Sequence, residues 1–173
     1  MTAERLIQMI QTSDLAIPRD EAIAYYIEEF SKEKYAPLKG RKILMVDDHP
    51  SELRTHIPPL LVATNGSASF IKFERKEEES KFMSGLNLAK AIMEINPEII
   101  LMDQYLDYRR VVLGTDVIQT LRDFGFKDKI IGFSSDSLDS YFKSVGADGS
   151  LVKSELYVAK NLLQIAGFIT DAE

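Results

Sequence analysis

Pro97-Glu98-Ile99-Ile100-Leu101-Met102-Asp103 is a run of four apolar residues that ends abruptly on a carboxylate. Its length and flanks predict a short strand buried on both faces, the pattern of a parallel sheet covered by helices on each side. Three further runs end the same way. Lys42-Ile43-Leu44-Met45-Val46 runs into Asp47-Asp48, Lys129-Ile130-Ile131-Gly132-Phe133 into Ser134-Ser135, and Ser150-Leu151-Val152 into Lys153. Open α/β sheets bind ligands outside the carboxyl ends of their strands. Three acids, a hydroxyl and a lysine are therefore expected to meet at one sheet edge. Any single acid after a strand is explained by the preference of turns for Asp; four such ends in this order carry the functional reading.

Crowded carboxylates repel, so they raise one another's pKa or recruit a cation. A set of oxygen donors favours a hard ion such as Mg2+. One carboxylate can then attack a phosphoryl group whose oxygens are held by the metal, a lysine and a hydroxyl. Asp103, alone between the acid pair and the lysine, is the best-placed nucleophile.

These residues resemble the receiver domains of bacterial two-component response regulators. The resemblance rests on Ile43-Leu44-Met45-Val46-Asp47-Asp48, Ile99-Ile100-Leu101-Met102-Asp103, Gly114, Leu121-Arg122, Ile130-Ile131-Gly132-Phe133-Ser134-Ser135 and Gly146-Ala147-Asp148-Gly149-Ser150-Leu151-Val152-Lys153. It covers about residues 41 to 173, and each piece is weak alone but the ordered set is specific. It implies a flavodoxin-like fold in which Asp47 and Asp48 hold Mg2+ and Asp103 accepts the phosphoryl group. Ser134 would be the switch hydroxyl and Lys153 the partner of the phosphate, and Tyr105 would lend its backbone carbonyl to the metal. The sequence departs from the family's pattern in three places. Ser154 stands where proline is usual, so the usual cis peptide is not expected. Ser150 stands where an aromatic is frequent, and the segment from Asp103 to Gly114 is long. The departures touch signal readout more than phosphoryl chemistry.

At 173 residues the chain is one ordinary domain plus an extension, and 45% hydrophobic residues suffice for a core. A net charge of -6 argues against a nucleic-acid or membrane-surface binder, both of which need a basic face. Without cysteine there are no disulfides or thiolate sites, and the two histidines, His49 and His56, are too few for a zinc site. No apolar segment is long enough to span a membrane, and Met1-Thr2-Ala3-Glu4-Arg5 begins no signal peptide, so a cytoplasmic protein is expected.

Residues 1–40 read as an N-terminal helical extension to a receiver domain at 41–173. Leu6, Ile7 and Ile10 share one side of a first helix that should stop near Ser13-Asp14. Pro18 suits the first turn of a second, in which Ile23, Tyr26, Ile27 and Phe30 form an apolar stripe. That stripe either packs on the chain's own receiver domain or forms a partner surface, including a homodimer through these helices. After the first strand, Pro58-Pro59 should interrupt or restart a helix begun at Pro50. The charged run Glu74-Arg75-Lys76-Glu77-Glu78-Glu79 reads as a solvated face or loop. Asp107, Arg109 and Arg110 in the long loop could approach the phosphoryl site, with an exposed polar loop as the simpler account. Helices bearing Leu86, Ala89, Ile92 and Met93, then Val117, Ile118 and Leu121 capped by Gly114 or Thr115, then Ser137 to Val145 and Glu155 to Ala166, alternate with the strands. The alternation predicts a doubly wound, five-stranded parallel sheet.

The leading expectation is a stand-alone receiver that takes a phosphoryl group from a histidine kinase or histidine phosphotransfer protein. Only one helix follows Lys153, so it would signal to a downstream protein through its surfaces, without direct nucleic-acid contact and without being an enzyme in the ordinary sense. Two alternatives belong to other classes. A pseudo-receiver adaptor would keep the fold without phosphorylation, which the filled site positions oppose. A Mg2+-dependent aspartate-nucleophile phosphohydrolase would need a second Asp two residues after the first-strand nucleophile, and Asp47-Asp48-His49-Pro50 lacks it.

Overall fold

The computed structural model describes residues 1–13, 15–107, 109–154 and 158–170. Five strands, β1 (Ile43–Asp47), β2 (Ser69–Lys72), β3 (Ile99–Met102), β4 (Lys129–Ser134) and β5 (Gly149–Val152), form one sheet in the order β2-β1-β3-β4-β5. Every pairing is parallel. The four apolar runs of the sequence are β1, β3, β4 and β5. In β1 and β3 every residue is buried, as a strand covered on both faces requires.

Helices α3 (Pro50–Ala63) and α7 (Val158–Thr170) cover one face, and α4 (Lys81–Ile95), α5 (Gly114–Asp123) and α6 (Asp139–Ser144) the other. The expected beginning of the last helix, at Glu155, lies outside the described residues. Alternation along β3 divides the core: Ile99 and Leu101 join the α3/α7 side, and Ile100 and Met102 the α4/α5/α6 side. Gly132 in β4 admits the ring of Phe142 from α6, since a Cβ there would meet that ring at 2.3 Å.

The N-terminal helices, α1 (Ala3–Thr12) and α2 (Asp20–Phe30), lie over α3, and a short 3-10 helix, Glu33–Leu38, lies against α7. The first helix stops where expected, with Ser13 in the cap position; Asp14 is outside the described residues. Leu6, Ile10, Ile23, Phe30, Tyr35 and Leu38 are buried in the same core as Ile57 and Leu162. Each of these side chains is worth roughly 1.5–3 kcal/mol of burial. The apolar stripe of α2 is thus covered by the chain itself: Ile23 and Phe30 fully, Tyr26 and Ile27 in part.

Three local expectations need correction. Pro18 precedes α2 rather than entering its first turn, where Asp20 and Glu21 stand. Leu113, not Gly114 or Thr115, occupies the cap position of α5, with Gly114 as its first residue. Pro58 and Pro59 do not break α3, which runs unbroken from Pro50 to Ala63. Residues His56 to Ala63 are all buried between the sheet and α1 and α2, and that burial outweighs the hydrogen bonds the two prolines cannot make.

Candidate functional site

β1, β3, β4 and β5 end at one edge and are tied there by main-chain bonds. Asp103 N–H donates to the Val46 carbonyl at 3.0 Å, and Lys153 N–H to the Ser134 carbonyl at 2.9 Å. The sheet register therefore fixes Asp47, Asp103, Ser134 and Lys153 side by side. The Lys153 ammonium bridges two strands, 2.7 Å from Asp47 Oδ2 and 2.8 Å from Asp103 Oδ1. The other oxygen of Asp47 accepts the His49 main-chain N–H at 2.8 Å. Asp48 is half-buried beside them, and one carboxylate oxygen from each of Asp47, Asp48 and Asp103 lies within 4.8 Å of the others.

Three carboxylates face one ammonium in a site where Asp47, Asp103 and Lys153 are almost wholly buried. Burial pushes the Asp103 carboxyl up to about 6; Lys153 opposes that rise and the Asp47 charge adds to it. Burial and the neighbouring Asp47 charge also raise Asp48. Burial alone would lower the Lys153 ammonium, but the Asp47 and Asp103 charges hold it above its usual value. A cluster of hard oxygen donors carrying excess negative charge fits a divalent cation of the Mg2+ type.

Ser134 is fully buried at the same edge, and its hydroxyl accepts a long bond, 3.4 Å, from the Asp136 N–H. Tyr105 pairs with Leu113 in an isolated antiparallel bridge whose hydrogen bonds come from the residues on either side: Gly114 N–H to Gln104 O and Leu106 N–H to Val112 O. The Tyr105 carbonyl is not spent in that bridge. Gly114 is placed by close approach, because a Cβ on it would stand 1.9 Å from the Asp103 carbonyl oxygen. No cis peptide bond occurs among the described residues, in keeping with Ser154 after Lys153. Ser150 donates to Asp139 at 3.2 Å, tying β5 to the first turn of α6.

The charged run after β2 and the long loop after β3, both read most simply as solvated, form part of the surroundings. Asp107 is buried: its Oδ1 accepts the Val111 N–H at 2.9 Å and its Oδ2 lies 3.7 Å from Arg75 Nη1. Arg75 also donates to the Glu79 carbonyl. The charged run after β2 is thereby held against the long loop after β3, while Arg109 and Arg110 remain exposed as expected. The spacing of Arg75 and Asp107 in sequence carries no signal of this contact. Of the histidines, His49 is exposed next to the acids, with its ring on Ser51, and His56 is buried edge-on to Phe133.

No protein-family model matches the sequence, and no curated protein matches it. Solved structures match in fold. The Francisella response regulator 1452 receiver domain is 17% identical with a TM-score of 0.57, covering 77% of this chain and 99% of that one. The response regulator TrrA from Thermotoga maritima, solved in complex with Mg2+ and BeF, is 20% identical with a TM-score of 0.52, covering 73% and 98%. A mutant receiver domain of the histidine kinase CKI1 from Arabidopsis thaliana is 17% identical with a TM-score of 0.51, covering 78% and 95%. At these identities the likeness is one of fold: the chain has the architecture of a response regulator receiver domain.

Proposed function

We propose that this chain is a phosphoacceptor of the receiver type, taking a phosphoryl group on Asp103 from a phosphohistidine on a histidine kinase or histidine phosphotransfer protein and signalling by protein contact. The observation that carries the reading is the Lys153 ammonium held between Asp47 and Asp103, with Asp48 alongside. Asp47, Asp48, Asp103 and the Tyr105 carbonyl would hold Mg2+. The ion would neutralise the acids and the phosphoryl oxygens that gather beside them.

The chain's own residues do the rest. An Asp103 carboxylate oxygen forms the bond to phosphorus while the bond from phosphorus to the donor's imidazole nitrogen breaks. The electron pair returns to that nitrogen, which takes a proton from solvent. Conversion of the carboxylate to an acyl phosphate moves negative charge outward from the Asp103 oxygen that Lys153 already contacts. The ammonium can follow that charge while keeping Asp47. Ser134, with its weakly engaged hydroxyl, is the donor available to a phosphoryl oxygen, and its movement would draw the loop after β4 toward the site.

Incubation with acetyl phosphate and Mg2+ followed by intact mass tests the reading. One added phosphoryl group is expected, dependent on Mg2+ and absent in Asp103→Asn. A full mass gain in that variant would move the acceptor elsewhere.

A further inference from the structure

The long loop after β3 carries Tyr105, and main-chain groups shape it from within. Leu106 N–H donates to the Val112 carbonyl at 3.1 Å, Arg110 N–H to the Asp107 carbonyl at 2.8 Å, and Val111 N–H to Asp107 Oδ1 at 2.9 Å. Bonds of this kind fix the form of the loop but not its distance from the acids. Leu106 and Val112 are buried in the same core as Phe73, yet apolar burial is non-directional. The directional contact from outside the loop comes from Arg75. Its Nε and Nη2 donate to the Glu79 carbonyl at 3.3 and 3.1 Å, and its Nη1 stands 3.7 Å from Asp107 Oδ2. Glu79 is itself braced on α4, accepting from the Ser84 hydroxyl at 3.1 Å and the Asn87 amide at 3.4 Å. Asp107 Oδ2 is buried and accepts no hydrogen bond among the described residues. Apolar side chains of similar volume often fill the place of a buried ion pair with equal or greater stability, so stability alone does not account for this one.

We propose that Arg75 and Asp107 are positioning residues for the cation site at the acid edge: the pair holds the long loop where the Tyr105 carbonyl joins Asp47, Asp48 and Asp103 as a metal ligand. The proposal rests on the phosphoacceptor reading and adds to it a brace from the charged run after β2. Both side chains act through Tyr105, which shares its loop with Asp107. Groups that orient a metal's ligands carry much of its affinity, although they donate nothing to the ion.

The test is Mg2+ binding to the full chain by calorimetry, at a temperature where circular dichroism shows each variant folded. Arg75→Met removes a positive charge near the acids, and Coulomb attraction alone would then tighten Mg2+ binding. Positioning gives the opposite sign: affinity should fall by about tenfold, the lower end of the range for losing a group that orients a ligand. Arg75→Met also strands the buried Asp107 charge, which can cost folding. The double variant Arg75→Met/Asp107→Asn strands none and leaves the net charge unchanged. It keeps an oxygen for the Val111 N–H. It should melt near wild type in chelator and still bind Mg2+ about tenfold more weakly. Lys76→Ala, which removes an exposed cation of the same run, should bind Mg2+ at least as tightly as wild type. A double variant with wild-type affinity overturns the positioning role, and so does a loss in Lys76→Ala equal to that of the double variant. In either case, wild-type protein that binds Mg2+ and is labelled on Asp103 leaves the phosphoacceptor reading standing. Wild-type protein that neither binds Mg2+ nor is labelled removes both.

Discussion

Asp103 carries a cost in the metal-free protein that can be measured. Its carboxyl is raised to about 6 by burial, and an unfolded chain returns it to about 4. The folded state therefore binds this proton more tightly. Its contribution to stability is complete below about pH 4 and is lost as the pH rises through about 6. Asp103→Asn removes that loss, so in chelator at about pH 7 the variant should be more stable than wild type, by on the order of 2–3 kcal/mol. The gap should close toward pH 4, and Mg2+ should stabilise the wild type far more than the variant. Thermal melts across pH settle this; a variant less stable than wild type in chelator at neutral pH would contradict it. Lys153 has the opposite balance. The resemblance assigns it to the phosphate, but it is already engaged with Asp47 and Asp103 before any phosphate arrives. Lys153→Ala leaves buried carboxylates facing each other and should cost about 3 kcal/mol in chelator, since removing one partner of a buried pair strands the other. Mg2+ should restore much of it, and the spectral response to beryllofluoride should be blunted; a response equal to wild type would take Lys153 out of the switch. The acids and the lysine were legible in the sequence because each follows a short apolar run, and strand and turn chemistry are local. Asp107 and Arg75 were not: their contact joins two irregular loops, where no periodicity marks which polar side chain turns inward.

At the scale of elements, the start of α5 is the most constrained junction near the site. Gly114 N–H donates to the Gln104 carbonyl at 2.8 Å, and the missing Cβ lets the helix begin against the Asp103 carbonyl. Gly114→Ala must push either α5 or the loop after Asp103 aside. A destabilisation of about 1–3 kcal/mol is expected from such overpacking. Labelling of Asp103 should also be slower, because the loop that moves carries Tyr105. A melt and a labelling rate both equal to wild type would show that the junction yields freely. The strands of this edge could be read from residue pattern alone, since β1, β3 and β4 are continuous apolar runs. The helices were read less well where context overrode local preference. Pro58 and Pro59 carry a strong breaking signal, yet α3 passes through both, because its last two turns are buried on all sides. Nothing within α3 announces that a second layer of helices will cover it; that information sits upstream, in the stripes of α1 and α2.

The whole molecule is a sheet with unequal cover: one helical layer on the α4/α5/α6 face, and two on the α3 face, where α1 and α2 complete the packing. The sequence left the stripe of α2 with two readings, self-packing or a partner. Ile23 at 3% and Phe30 at 2% exposure are covered by the chain itself, so the stripe no longer motivates a dimer. This changes what removal of residues 1–38 should do. A stripe used only between copies could be deleted to leave an intact monomer. A stripe that completes the core cannot be, because its loss uncovers Ile57, Leu60, Leu61 and Val62 of α3, all buried in the native chain. A newly exposed apolar surface of that kind favours self-association or loss of order. The expected outcome is that the full chain sediments as a monomer, while the truncated chain melts well below it and aggregates or binds a hydrophobic dye. Phe30→Ala is the milder form of the same experiment and should cost about 3–5 kcal/mol, the range for a buried aromatic ring truncated in place. Since Phe30 lies near Val62 and Ala63 at the end of α3, while the acid edge adjoins its start at Pro50, fully folded variant protein should still accept a phosphoryl group on Asp103. A truncated chain that is monomeric, with an unchanged melting temperature, would show that α1 and α2 are an appendage and return the α2 stripe to the reading of a partner surface.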